Sequence, residues 1–252
     1  MQHDDPIQAT LEQAGFSGAV LSPPIGGVVS PVHRAVENHC CLAATPGAAP
    51  VFVKRRHEDM AAFIDPDDAI EASGKAGDIG IAPRLLHADA VRGILIFEAL
   101  GEEWSWGHVD VLRRPPVLEN LLAAKRRFHG VPPLAQTRSV FDLIQTYRRL
   151  ADAPDVPLPS PVATVSAAVE DIAAVIAASG VDTVACHADG ASSNVMVGPS
   201  NTVRLVDFEW ARQADPAYDL GTVLAELLPF DGEALLAIEM ATGKPDAQVL
   251  AR

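Results

Sequence analysis

The chain has 252 residues, 48% of them hydrophobic, with 33 acidic against 19 basic side chains and a formal net charge of -14 at pH 7. That length and apolar content suit one large domain or two packed lobes, and no long stretch is polar enough to read as a disordered tail. The charge argues against a nucleic-acid partner, whose phosphates most of this surface would repel, and suits a cationic small-molecule ligand.

The N-terminus, Met1-Gln2-His3-Asp4-Asp5, has no basic segment followed by an apolar run, and no apolar segment reads as long enough to span a bilayer. The expectation is a soluble, cytoplasmic protein with no membrane partner. The three cysteines are Cys40, Cys41 and Cys186. Adjacent Cys40 and Cys41 should face opposite sides of a strand, and without zinc-type spacing they read as small buried hydrophobes in a reducing compartment.

Along the chain, Gly18 to Ser22, Arg34 to Ala43 and Val51 to Lys54 read as strands of an antiparallel meander, separated by Pro- and Gly-containing turns. Asp65-Pro66 reads as an N-cap followed by proline at the first helical position. The helix it opens carries Ile70 and Glu71 and stops near Gly74 or Gly77. Arg84 to His87 and Ile94 to Leu100 are two further strands. Beyond Leu100 the pattern turns helical: Val117 to His129, with Leu118, Leu121, Leu122 and Phe128 as its apolar stripe, then Phe141 to Leu150 and Val162 to Ala178. Val203 to Val206 is a short strand, and Leu220 to Leu228 and Glu233 to Ala241 are helices. The class expected is α+β, with a β-rich lobe over residues 1–100 and a helical lobe over 101–252, joined near Ala99 to Glu103.

Chemistry concentrates in Cys186-His187-Ala188-Asp189-Gly190-Ala191-Ser192-Ser193-Asn194 and in Leu205-Val206-Asp207-Phe208-Glu209. The first segment fits the H-x-D-x-x-x-x-N pattern of a kinase catalytic loop, and the second takes the place of a D-F-G metal site with Glu209 where glycine is expected. Phosphoryl transfer explains the combination, because its loose transition state leaves the protein mainly positioning and charge neutralisation. Asp189 is the candidate to orient the acceptor hydroxyl and receive its proton. Asp207 and Asn194 offer the oxygen ligands that Mg²⁺ prefers against the phosphates of ATP. His187 would brace the loop through hydrogen bonds. Asp219, in Asp219-Leu220-Gly221, reads as a helix N-cap that also bonds back to the catalytic loop.

Cys-His-x-Asp, then Val-Asp-Phe-Glu-Trp-Ala, then Tyr-Asp-Leu-Gly resembles the choline/ethanolamine kinase group of the aminoglycoside-phosphotransferase superfamily, most specifically over Val184 to Leu228. The resemblance implies a bilobal protein-kinase-like fold and ATP with Mg²⁺ as cofactors. It also implies a phosphate-contacting lysine, matched by Lys54, and a helix glutamate to pair with it, best matched by Glu71, with Asp67, Asp68 and Glu58 as competitors. The phosphate-covering loop would be Pro24 to Ser30, with Gly26, Gly27 and Ser30 as contacts, although it departs from G-x-G-x-x-G and a plain hairpin turn remains open. Adenine would meet the backbone near Phe97 to Leu100.

For the acceptor, the resemblance points to Trp210 directly after Asp-Phe-Glu and to Glu226 in the next helix, with Glu209 beside them. An aromatic face and a carboxylate together hold an ammonium group. Trp104 and Trp106 could add to such a box or simply pack. Choline kinases extend further beyond Met240 and often carry a polar residue where Ala191 stands, so either the chain is abbreviated or the acceptor site is more open. Three readings remain: phosphorylation of choline or ethanolamine, phosphorylation of an aminoglycoside or sugar hydroxyl, or a nucleotide-binding pseudoenzyme. The eight histidines show no zinc spacing, and no G-x-S-x-G supports a hydrolase.

Overall fold

The computed structural model describes residues 5–25, 37–151, 157–180 and 182–228. Gly26, Gly27 and Ser30 lie outside the described residues, as does the helix expected over Glu233 to Ala241. Asp5 caps the first helix, α1 (Pro6–Gln13), by accepting from the Ile7 amide, with Pro6 at the first helical position. A sheet follows, of β1 (Val20–Leu21), β2 (Asn38–Ala44), β3 (Val51–Arg56), β4 (Leu85–Asp89) and β5 (Ile94–Glu98), interrupted by α2 (Pro66–Asp78). Its strand order is β1-β2-β3-β5-β4, and each neighbouring pair is antiparallel. Asp65 caps α2 as expected, accepting from the Asp67 amide.

Period-two alternation gives this sheet two distinct faces. Cys41, Ala43, Val51, Val53, Ile94 and Ile96 point to one side and bury themselves with Leu11 of α1. Cys40, Leu42, Phe52, Lys54, Leu95 and Phe97 point to the other, where they line a cavity. Cys40 and Cys41 thus fall on opposite faces. Lys54 sits between Cys40 of β2 and Leu95 of β5 in the ladder, so its side chain must enter the cavity.

The remaining described residues carry β6 (Ser105–Trp106), α3 (Val109–Leu112), α4 (Pro115–His129), α5 (Val140–Ala151), α6 (Val162–Ser179), β7 (Val184–Cys186), β8 (Val195–Val197), β9 (Val203–Leu205), β10 (Arg212–Ala214) and α7 (Pro216–Leu227). Two small sheets, β10-β7 and β6-β8-β9, carry the loops of interest. The antiparallel sheet therefore occupies the N-terminal part and most of the helices the C-terminal part, in the protein-kinase-like arrangement expected. The second core joins Leu121 and Phe128 of α4 to Leu205, Phe208, Leu220 and Leu224, and reaches Ala72 and Ala76 of α2. Leu118, expected on the α4 stripe, is only partly buried.

Two details correct the sequence reading. The N-cap of α7 is Asp215, which accepts from the Ala217 amide, and Asp219 lies in the first turn instead. In addition, α6 has a mean hydropathy of 1.6 over 18 residues with none of them buried, so among the described residues one helix is long and apolar enough to cross a membrane by length and composition. Glu170 and Asp171 stand at its midpoint, where a carboxylate costs roughly 3 kcal/mol in a bilayer, so a spanning role is disfavoured.

Candidate active site

A cavity of about 340 Å³ lies under the five-stranded sheet. One end is apolar, walled by Leu42, Phe52, Phe97, Leu100, Met196 and Leu205. The other gathers Glu37, Asn38, Lys54, Asn194, Asp207 and Glu209. An apolar slot opening onto a few convergent charged groups is the usual form of a small-molecule site.

The first loop leaves β7 at Cys186. His187 is 1% exposed; its Nδ1 lies 3.0 Å from the Asp189 carbonyl and its Nε2 lies 2.9 Å from the Val206 carbonyl. Burial and the nearby Lys125 charge push its pKa down, so the neutral ring donates to one carbonyl at a time. Either way it braces the loop. Ala188 adopts φ 62°, a left-handed conformation uncommon for a residue with a Cβ, and so turns Asp189 out of the strand direction. The Asp189 carboxylate is then held twice, by the Ala191 amide at 3.0 Å and by Asn194 Nδ2 at 2.8 Å. At Gly190 a Cβ would stand 2.3 Å from the Thr222 carbonyl carbon, so only glycine lets the loop lie against the α7 backbone.

Beneath this loop is a buried charge network. Asp219 is fully buried and accepts from the Ala188 amide and from Lys125 Nζ, both at 2.8 Å through Oδ1, while Oδ2 meets His129 Nε2 at 2.8 Å. Lys125, 1% exposed, also reaches the Asp189 carbonyl at 3.3 Å. Burial pushes the Asp219 carboxyl up, but the charges of Lys125 and His129 outweigh it and hold it well below the usual carboxylate range. Asp219 thus binds the loop backbone as expected. No motif marked Lys125 or His129 as partners of Asp219 in the sequence. Lys125 nevertheless left a signal, since it interrupts the apolar stripe between Leu121 and Phe128 where a solvent-facing lysine has no place.

The second loop leaves β9, coupled to the first by the Val206 amide donating to the Asn194 carbonyl at 2.9 Å. Asp207 has φ 69°, again left-handed, which lifts its carboxylate into the cavity. Phe208 anchors the turn from below, packing edge-on against Phe128 and His187 at 5.1 and 4.6 Å between ring centroids. Lys54 Nζ lies 2.6 Å from Asp207 Oδ1 and 3.1 Å from Glu209 Oε1. Desolvation works against the lysine charge, but the two carboxylates outweigh it and hold its pKa above the ordinary value. Asn38 Nδ2 donates to Glu209 Oε2 at 2.9 Å. Carboxylate oxygens of Glu37, Asp207 and Glu209 all lie within 4.8 Å of one another. Glu37 is consequently pushed up to about 7, chiefly by burial and then by Asp207 and Glu209.

The donor set suits a hard divalent cation. Asn194 gives its amide to Asp189, leaving its carbonyl oxygen as a ligand, and Asp207 presents a carboxylate into the same cavity. Oxygen-only ligands of this kind favour Mg²⁺ over softer metals.

Several expected residues stand elsewhere. Glu71 does not meet Lys54: it pairs with Lys75 at 2.7 Å and accepts from the Ala135 amide at 2.9 Å, because it faces away from the buried side of α2. Glu226 lies on the exposed face of α7 and accepts from the Ser192 amide at 2.9 Å, which makes it a brace for the catalytic loop. Trp210 is half-buried beside the loop, outside the cavity lining. Trp106 walls the apolar end of the cavity, and Trp104 lies against the Arg204 guanidinium, 5.4 Å from its carbon to the ring centroid. Glu37 and Asn38 sit at the polar end without any motif having marked them.

The phosphotransferase enzyme family matches residues 29–251 of the chain. Among solved structures, the choline kinase LicA from Streptococcus pneumoniae is similar with a TM-score of 0.77 at 18% identity, over 97% of this chain and 83% of that one, and it has also been solved in complex with AMP. A choline/ethanolamine kinase family protein from Mesorhizobium loti is similar with a TM-score of 0.73 at 19% identity, over 98% of this chain and 80% of that one. The aminoglycoside phosphotransferase APH(3'')-Id from Streptomyces rimosus gives a TM-score of 0.58 at 19% identity, over 98% and 96% of the two chains. No curated protein matches by sequence.

Proposed function

The chain belongs to the phosphotransferase enzyme family, and on that premise we propose that it transfers the γ-phosphate of ATP to a hydroxyl of a cationic amino alcohol such as choline or ethanolamine. The observation that carries the reading is the double hydrogen bond fixing the Asp189 carboxylate, on a loop whose other end places Asn194 beside Asp207 and Lys54. Residues 1–100 would hold the nucleotide and residues 101–252 the catalytic loop and cation ligands. The apolar slot takes the adenine, and Lys54 meets the phosphates as a point positive charge. Mg²⁺ held by Asp207 and Asn194 would neutralise charge on those phosphates. Asp189 orients the acceptor hydroxyl and takes its proton at a carboxylate oxygen as the acceptor oxygen bonds to the γ-phosphorus and the bond from that phosphorus to the bridging oxygen breaks, releasing ADP.

A cationic acceptor is supported by the carboxylates of Glu37, Asp207 and Glu209, which outnumber Lys54 at the polar end of the cleft. A soluble, cytoplasmic enzyme fits this reading. A second reading, a sugar or aminoglycoside hydroxyl as acceptor, is favoured by the engagement of Glu226 with Ser192, which removes one carboxylate from an ammonium site. Incubation with Mg-ATP and a panel of choline, ethanolamine, aminoglycosides and simple sugars, followed by ADP release, separates the two. Stimulation by choline or ethanolamine is expected; stimulation by sugars or aminoglycosides alone would move the acceptor to the second class.

A further inference from the structure

A buried lysine that works on phosphates needs a fixed carboxylate to aim it, and in this chain no helix glutamate is in place to do so. The buried face of α2 consists of Ala69, Ala72, Ser73, Ala76 and Gly77, small residues that let the helix lie directly on the turn of Phe208, Glu209 and Trp210. Ala69 and Glu209 line the same small void beside Arg56 and Leu95. Glu71 projects elsewhere, tied to Lys75 and the Ala135 amide, while Lys75 is itself tied to the carbonyls of Pro132 and Pro133.

We propose that Glu209 takes the place of the helix carboxylate and is the positioning residue that holds Lys54 toward the nucleotide phosphates. The inference rests on the kinase reading above. Glu209 is suited to the role by its own restraint: its side chain is 4% exposed, one oxygen lies 3.1 Å from Lys54 Nζ, and the other accepts from Asn38 of β2 at 2.9 Å. Asp207, the second partner of Lys54, is 25% exposed in its side chain and is the group that a phosphate-bound cation would claim. When Asp207 turns to that duty, Glu209 and its Asn38 clamp remain to keep Lys54 aimed. A glycine at the D-F-G position could not do this. The small residues of α2 and the glutamate after Asp207-Phe208 are thus complementary: the carboxylate has moved from the helix to the turn that the helix packs upon.

The test is binding of Mg-ATP by calorimetry, alongside KM and kcat for ATP and for the acceptor. Glu209→Gln, which keeps the shape and the Asn38 contact region, should weaken Mg-ATP binding by about 10- to 100-fold, the effect of losing a hydrogen bond to a charged group. The acceptor KM should change less than Mg-ATP affinity does, since the direct contacts of Glu209 are to Lys54 and Asn38. Glu209→Asp should recover part of the loss, and Asn38→Ala should give a smaller loss in the same direction. In a Lys54→Met background, Glu209→Gln should add nothing further, because a residue acting through Lys54 has no effect without it. Glu71→Gln should leave ATP affinity within about twofold. Equal losses from Glu209→Gln with and without Lys54, or a larger ATP defect in Glu71→Gln than in Glu209→Gln, would overturn the assignment. Should Glu209→Gln fail to fold, the Asn38→Ala measurement decides in its place. Failure of the unaltered protein to bind Mg-ATP at all would overturn the kinase reading together with this one.

Discussion

Two buried lysines divide the work of this molecule. Lys125 is 1% exposed and Lys54 7% exposed, and each faces acidic partners at hydrogen-bond distance, yet their surroundings differ. Lys125 and Asp219 are sealed inside the helical core, with His129 partly buried beside them. Lys54, with Asp207 and Glu209, opens onto the cavity. The same pairing chemistry therefore serves as a brace where no ligand can enter and as a working cation where one can. Access, and not pKa perturbation, separates the structural network from the functional one, since both networks are strongly perturbed.

The sharpest way to break this comparison is to remove the positive partner in each network. Lys125→Met leaves Asp219 with His129 and the Ala188 amide and should destabilise the fold by about 3 to 5 kcal/mol in denaturant unfolding, because a buried carboxylate loses its principal counter-charge. Lys54→Met should cost less than Lys125→Met, since Asp207 keeps access to solvent and Glu209 keeps its bond from Asn38, while turnover falls by orders of magnitude. Equal stability losses in the two variants would erase the distinction.

A second change acts between the networks. Gly190→Ala forces a methyl into the α7 backbone at Thr222 and should destabilise by about 1 to 3 kcal/mol. It should also lower kcat by displacing Asp189, as steady-state kinetics would report.

Acid titration of stability sharpens the comparison further. Asp219 has a depressed folded pKa, so its contribution is full above its unfolded value of about 3.9 and disappears as pH falls below it toward the folded value. Lys54 has a raised pKa, so its contribution is complete below about 10.4 and is lost only as pH rises beyond that. Urea midpoints measured against pH should show the acid loss shrinking in Lys125→Met and the alkaline loss shrinking in Lys54→Met. The smallest effect belongs to the ion pair on the surface: Glu170→Gln breaks a contact to Arg148 in which both side chains are largely exposed, and should change stability by no more than about 0.5 kcal/mol.

The parts of this design that were legible in the sequence are those with a rigid spacing. The interval from His187 to Asp189 to Asn194 and the run from Leu205 to Glu209 are short, so each motif survives intact in the fold, and pairing of β8 with β9 sets Asn194, Asp207 and Glu209 around one cavity. Alternation in Val51 to Lys54 likewise places Lys54 on the face opposite the sheet core. Glu71 was misplaced because α2 is built from alanine and glycine, whose weak apolar pattern does not reveal which way the helix is turned; its buried face falls on residues 69, 72, 73 and 76. The bond of Glu226 to the Ser192 amide was not legible, because a carboxylate on α7 can serve a loop amide as readily as a ligand. The two- and three-residue strands β6, β7, β8 and β10 are too short for a pattern of their own and exist through their tertiary pairing. Glu37 and Asn38 reach the site only because β2 begins beside the turn of Glu209, a juxtaposition across more than 170 residues that no local motif encodes.

The central claim is that Asp189 receives the acceptor proton during transfer from ATP. Phosphorus NMR of the reaction with Mg-ATP and choline or ethanolamine, run with the unaltered chain and with Asp189→Asn, tests it most directly. The account predicts a phosphomonoester signal growing with ADP for the former, and for the latter no product despite undiminished Mg-ATP binding. Product formation at an undiminished rate by Asp189→Asn would contradict it.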